Sequence, residues 1–150
     1  MAAAVRPATA TDVAQLAALE SSTYADEGYP APLFYQALAQ WPQWFLVAES
    51  DNIVVGYVLA APGSDKTLWI MSVLVDKVAR GQGVGRQLMQ SLIANVHNHT
   101  REFSRLALTV SPNNHGAIHL YRQLGFKDIK QINDFMGPSQ HRLLMHYDAC

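Results

Sequence analysis

The chain has almost no cysteine, no excess of basic residues and no long apolar run, and each shortage removes a class of protein. Its one cysteine, Cys150, is the last of 150 residues, so no internal disulfide can form and a reducing compartment is expected. That thiol reads as exposed and dispensable. Eleven Lys and Arg against twelve Asp and Glu give a net charge of −1 and a pI near 6.6, which supplies no broad cationic field for nucleic acid. The longest apolar stretch, Ile53 to Ala61, falls far short of the roughly 20 residues of a membrane-spanning helix. The opening Met1-Ala2-Ala3-Ala4-Val5-Arg6-Pro7 lacks the basic and apolar segments of a secretory leader. A cytoplasmic protein that binds neither membrane nor nucleic acid is expected.

What is present is an apolar content of 49%, enough for a sizeable core and a single domain over residues 1–150. Val5 to Ala8 reads as a short strand, and Thr9 or Thr11 can cap a helix whose Val13, Leu16 and Leu19 share one face, running to about Ser22. The breakers between Ser21 and Pro32 predict a loop, and Pro32 opens a short helix through Phe34 and Leu38 toward Trp41. Trp44–Ala48 and Ile53–Ala61 read as strands around the polar turn Ser50-Asp51-Asn52. Leu68–Val75 suits a central strand buried on both faces. Leu88, Met89, Leu92, Ile93 and Val96 then mark a helix, Leu106–Val110 a strand, and Asn114–Leu124 a helix stopped by Gly125. Phe126–Ile132 and Leu143–Tyr147 complete an α/β arrangement with parallel strands in its middle.

One stretch organises the rest. Val73 to Val75 end an apolar run, a polar turn follows, and Arg80-Gly81-Gln82-Gly83-Val84-Gly85-Arg86 opens a helix. Glycines at 81, 83 and 85 leave no Cβ between backbone and ligand, so successive amides at the positive helix end can close on phosphate oxygens, with Arg80 and Arg86 alongside. A dinucleotide fingerprint counted from Gly81 needs glycine where Arg86 stands and an acid where Arg105 stands. A nucleotide-hydrolysing P-loop needs Gly-Lys-Ser/Thr where Gly85-Arg86-Gln87 stands. Neither fits.

The Arg80–Gly85 segment resembles the Arg/Gln-x-x-Gly-x-Gly acyl-CoA loop of the GNAT superfamily of N-acetyltransferases. A second block, Asn114-His115-Gly116-Ala117-Ile118-His119-Leu120-Tyr121-Arg122-Gln123-Leu124-Gly125-Phe126, resembles that family's Asn-x-x-Ala-x-x-Leu-Tyr-x-x-x-Gly-Phe segment at every fixed position. The resemblance covers most of the chain from residue 44 onward. It implies a mixed, mostly antiparallel sheet of six to seven strands, splayed between strands 4 and 5 and flanked by about four helices. It also implies acetyl-CoA as cosubstrate, with the diphosphate on Arg80, Gly81, Gln82, Gly83, Val84, Gly85 and Arg86. The pantetheine arm would meet the backbone of Val73, Leu74 and Val75, with an N–H of Leu74 or its neighbour facing the thioester oxygen as negative charge grows there. Asn114 and Tyr121 would contact the cosubstrate, and Tyr121 would protonate the leaving thiolate as general acid.

The base is less legible. Relatives place a carboxylate or histidine where this chain has Trp69, Met71 and Thr109, none of which accepts a proton usefully. Glu27, between the first two helices, is the loop candidate, with Asp26, Asp134, His141, His146 and ordered water as weaker ones. Tyr24, Glu27, Tyr29 and Phe135 are candidate acceptor-binding residues. His115 and His119 stand i,i+4 without a third ligand, so no metal is expected. Two functions stay open: an N-acetyltransferase acting on a small amine, polyamine or protein N-terminus by direct attack in a ternary complex, and a non-catalytic acyl-CoA-binding regulatory module. The segment from Phe135 to Met145, similar to the hairpin that narrows the peptide site of N-terminal acetyltransferases, favours a peptide or small aliphatic amine. A homodimer is compatible with either function.

Overall fold

A computed structural model describes residues 3–149; Cys150 lies outside the described residues, and with it the expectation of an exposed thiol. Seven strands form one sheet in the order β1-β2-β3-β4-β5-β7-β6. They are β1 (Ala4–Pro7), β2 (Phe45–Ser50), β3 (Ile53–Pro62), β4 (Thr67–Val75), β5 (Arg105–Val110), β6 (Lys127–Ile132) and β7 (Arg142–Asp148). Four α-helices accompany them: α1 (Val13–Tyr24), α2 (Ala31–Gln40), α3 (Val84–His97) and α4 (His115–Gln123). Among the described residues the parallel ladder is that of β4 and β5, running from Thr67 opposite Arg105 to Trp69 opposite Ala107. The mixed, mostly antiparallel sheet and its four helices agree with expectation.

The chain forms two compact units, one of Met1–Ala61 with Met71–Leu92, the other of Pro62–Ile70 with Ile93–Cys150. In the first, Val13 and Leu16 of α1, Phe34 and Ala37 of α2, and Phe45, Tyr57 and Leu74 of the sheet share one buried cluster. Phe34 meets the Tyr57 ring edge-on, with centroids 5.4 Å apart at 89°, the arrangement that aromatic quadrupoles favour. The β2–β3 hairpin turns on Asp51 and Asn52, whose φ angles of 51° and 63° match the tight turn that a right-twisted hairpin requires. Arg6 of β1 clamps Asp12 through two nitrogens at 2.8 Å and reaches Glu49 at 2.6 Å. The Asp12 carboxylate also accepts the Thr9 amide at 2.8 Å, fixing the turn Ala10–Asp12 that leads into α1.

In the second unit, α4 ends as the glycine predicts. The Phe126 amide donates to the Tyr121 carbonyl at 2.9 Å and the Gly125 amide to that of Arg122 at 3.1 Å, with Gly125 at φ +106°. This paired closure needs a left-handed residue after the helix. Phe126 does not begin β6; buried, it packs against the Tyr147 ring at 5.5 Å. β6 is almost wholly exposed and carries Lys127, Asp128 and Lys130, charges suited to an unpaired sheet edge.

One expectation needs correction. β4 is not buried on both faces: Leu68, Ile70 and Leu74 are buried, whereas Met71, Ser72, Val73 and Val75 are half-buried and Trp69 is 39% exposed. The run is apolar throughout, but only part of it is covered.

Candidate active site

The strand-to-helix junction takes the form its glycines require. After β4, Asp76 donates its amide to the Val55 carbonyl at 2.8 Å, and a short turn Lys77–Ala79 leads to Arg80, whose Nε donates to the Val75 carbonyl at 3.1 Å. Gly81 and Gly83 adopt φ +79° and +80°, and a Cβ built on either would meet nothing within 4 Å. Both are therefore left-handed and open on their free side. A helical bond of α3 runs from the Gln87 amide to the Gly83 carbonyl at 3.0 Å, which places the amides of Val84 and Gly85 in the first turn of the helix. Aligned at the positive end of a helix beside two glycines, these amides suit an anion, and the cradle fits a diphosphate.

What seats this helix was not read from the sequence. A Cβ on Gly56 of β3 would stand 2.9 Å from the Leu74 carbonyl oxygen and 3.3 Å from a Val84 methyl, so glycine there allows the start of α3 to lie directly on the sheet.

The α1–α2 loop carries the candidate acceptor residues. Glu27 is exposed in the turn Ala25–Glu27 and Tyr24 is 48% exposed. Tyr29 turns inward, its hydroxyl reaching the Met71 carbonyl at 3.5 Å, so loop and β4 are brought together. In the second unit Asn114 caps α4, accepting the Ala117 amide at 3.2 Å. Tyr121 is buried on α4, its ring 5.9 Å from that of Phe126. Phe135 is 52% exposed, in a segment held by Asp134, whose carboxylate accepts the Ser139 amide at 2.7 Å and whose amide donates to His141 Nδ1 at 3.0 Å. That segment and the turn after β5 border a cavity of about 560 Å³ lined by Ser111, Asn113, Gln131, Met136, His141 and Arg142.

Of the strand positions where a base was sought, Thr109 accepts Arg142 Nε on its hydroxyl at 3.3 Å and Arg142 Nη2 on its carbonyl at 2.9 Å. A guanidinium, not a proton acceptor, dominates that place. His146 is held below the usual histidine range, chiefly by burial and then by the Arg105 charge.

Sequence reasoning missed one acid. Glu20 of α1 is 1% exposed and accepts a hydrogen bond from the Tyr57 hydroxyl and another from the Tyr29 amide. Burial pushes its carboxyl above the usual range, against the opposing pull of those two bonds. The signal was there to read: Glu20 follows Leu16 by four residues and so lies on the apolar stripe of its helix. Burial and the Glu20 bond likewise push the Tyr57 phenol well above its ordinary value.

Comparison with known proteins follows the same lines. The N-alpha-acetyltransferase of Sulfurisphaera tokodaii is 28% identical over 155 residues, covering 94% of this chain and 90% of that protein. The structure of Ard1 from Thermoplasma volcanium superposes with a TM-score of 0.86 at 23% identity, covering 99% of this chain and 98% of that one. YncA from Salmonella typhimurium, solved with its cofactor acetyl-CoA, superposes at 0.84 with 20% identity over 100% and 95% of the two chains. At those identities the two structures speak for the fold alone. The model of the acetyltransferase (GNAT) family matches residues 11–126, which takes in the glycine cradle, Asn114 and Tyr121, and this chain therefore belongs to the GNAT family of acetyltransferases.

Proposed function

We propose that this N-acetyltransferase moves an acetyl group from acetyl-CoA to the α-amine of a peptide or protein N-terminus, acting as one domain over residues 1–150. The observation that carries the cosubstrate half is the cradle at Gly81 and Gly83, left-handed and open to a ligand and followed by the positive end of α3. In this reading Arg80, Gly81, Gln82, Gly83, Val84, Gly85 and Arg86 hold the diphosphate. The backbone of Val73, Leu74 and Val75, in which buried Leu74 stands between two half-buried valines, receives the pantetheine arm as an added strand would be received. Bound acetyl-CoA supplies the activated acyl carbon.

The residues of the chain do the rest. Asn114 contacts the cosubstrate with the side chain that caps α4, and a Leu74 amide faces the thioester oxygen, where charge develops. Tyr121 protonates the departing sulfur. Tyr24, Tyr29 and Phe135 wall the acceptor, and Glu27 meets its ammonium group from the exposed loop. In this reading the amine attacks the thioester directly, in a ternary complex of enzyme, acetyl-CoA and acceptor.

Support for a terminal α-amine comes from the S. tokodaii relative, whose name states that activity and whose similarity extends over 94% of this chain. The test is thiol release from acetyl-CoA across N-terminal peptides, spermidine and an arylalkylamine, with the acetylated atom located by mass spectrometry. Release with peptides, and label on the α-nitrogen, is expected. Acetylation of the polyamine or arylalkylamine alone would overturn the acceptor, and no release from any amine would overturn the function.

A further inference from the structure

We propose that Glu20 is the terminal proton acceptor for the incoming amine, reached from the half-buried Ser72 hydroxyl through the buried Tyr57 hydroxyl. The inference rests on the acceptor reading above and supplies the base which that reading lacks. Its three residues lie on three elements, α1, β3 and β4, and within one unit of the fold. Tyr57 Oη donates to Glu20 Oε1, and Ser72 Oγ lies 3.0 Å from the same phenol oxygen. With the phenol proton committed to Glu20, the hydroxyl of Ser72 completes the chain by donating to Tyr57.

The geometry has a direction. Glu20 and Tyr57 are 1% and 0% exposed, whereas Ser72 is half-buried, between Met71 and Val73. The candidate acceptor residue Tyr29 closes over the buried end, donating its amide to Glu20 and its hydroxyl to the carbonyl next to Ser72. Among the described residues, the groups that act on the Glu20 carboxyl are the Tyr57 hydroxyl and the Tyr29 amide. No lysine or arginine is among them; burial raises the carboxyl above the usual range and outweighs the two hydrogen bonds, which pull it down.

The protons balance. An ammonium proton passes to Ser72 Oγ as the Ser72 proton passes to Tyr57 Oη and the phenol proton to Glu20. The nitrogen becomes a neutral nucleophile. As the C–N bond forms and the C–S bond breaks, Tyr121 gives its proton to sulfur and regains one from nitrogen. One proton per turnover stays on Glu20 and returns to water through the same hydroxyls.

The test compares wild type with E20Q, Y57F and S72A, each of which keeps the shape of its site. With a peptide acceptor, kcat for E20Q and Y57F should fall on the order of a hundredfold while the peptide KM moves less than about threefold, and the acidic limb of the kcat profile should vanish. In E27Q that limb should persist. Lowered melting temperature and raised KM with the limb unmoved would mean a purely structural role and would overturn the proposal, as would loss of the limb in E27Q alone.

A second readout needs no acceptor. In protein labelled with 13C-glutamate, the Glu20 carboxyl resonance, identified by its loss in E20Q, should titrate above the ordinary value of about 4.3 and shift in Y57F. Titration in the ordinary range overturns the relay even if every peptide is inert. Inert peptides with an elevated Glu20 overturn the acceptor assignment instead.

Discussion

The backbone of Gly28 lies against Glu20 so closely that a Cβ at position 28 would stand 2.8 Å from the Glu20 carbonyl oxygen and 3.2 Å from the Glu20 Cβ. Its φ of −70° is open to any residue, so space and not conformation excludes a side chain here. Gly28→Ala must push the loop off α1, at a cost of about 1–3 kcal/mol. A thermal melt should show a drop of about 2–4 °C per kcal/mol in a chain of this size. An unchanged melt would mean that the loop does not rest on the helix.

Gly83 presents the opposite case, since a side chain there meets open space and the backbone is what resists it. Gly83→Asp should fold, with a penalty of about 1–2 kcal/mol for a left-handed residue, and its far-ultraviolet circular dichroism should match wild type. Calorimetric titration with CoA should show no binding, because a carboxylate then stands where the proposed site holds the diphosphate. Wild-type affinity in this variant would remove the cradle from the site.

Tyr121 touches Phe126 through its ring, and Tyr121→Phe keeps that contact. The melting temperature should stay within a degree or two while kcat falls about 100-fold, the lower range of what a positioned acid contributes. The KM for acetyl-CoA should hardly move. Equal losses in stability and rate would point to packing as the residue's whole role.

Asp12 gives a pH prediction with a definite sign. Its carboxyl is held below the usual range, first by the Arg6 hydrogen bonds and then, against the effect of burial, by Thr9. A depressed folded-state pKa adds stability that is fully present above the unfolded value, about 3.9, and is lost as pH falls through the folded one. Asp12→Asn should therefore be less stable than wild type near neutrality, and the gap should close as pH drops below about 4. Denaturant melts at pH 7, 5 and 3 measure it; a gap that widens toward pH 3 contradicts the pairing.

Much of this was legible in the chain because the information is local. Glycine at 81, 83 and 125 states a backbone conformation, and all three take positive φ. The Asp51-Asn52 turn and the Asn114 cap are also set within a few residues of sequence. The both-faces reading of β4 failed for a reason periodicity cannot supply: an apolar run shows what a strand tolerates, not what covers it, and Met71, Val73 and Trp69 are left partly open.

Glu20 shows where local reading stops. Its place on the apolar stripe of α1 is visible in the spacing, but an acid there is either an error or a partnered group, and its side-chain partner Tyr57 stands 37 residues away, with Ser72 beyond it against the same phenol. The sequence by itself determined the family, the helix and strand order and the left-handed glycine turn before α3, because glycines, caps and spacing act over short stretches of chain. Only the tertiary structure decided which acid is buried, which hydroxyls reach it and which strand face stays open, since burial and hydrogen bonding depend on neighbours that folding, not succession, brings together.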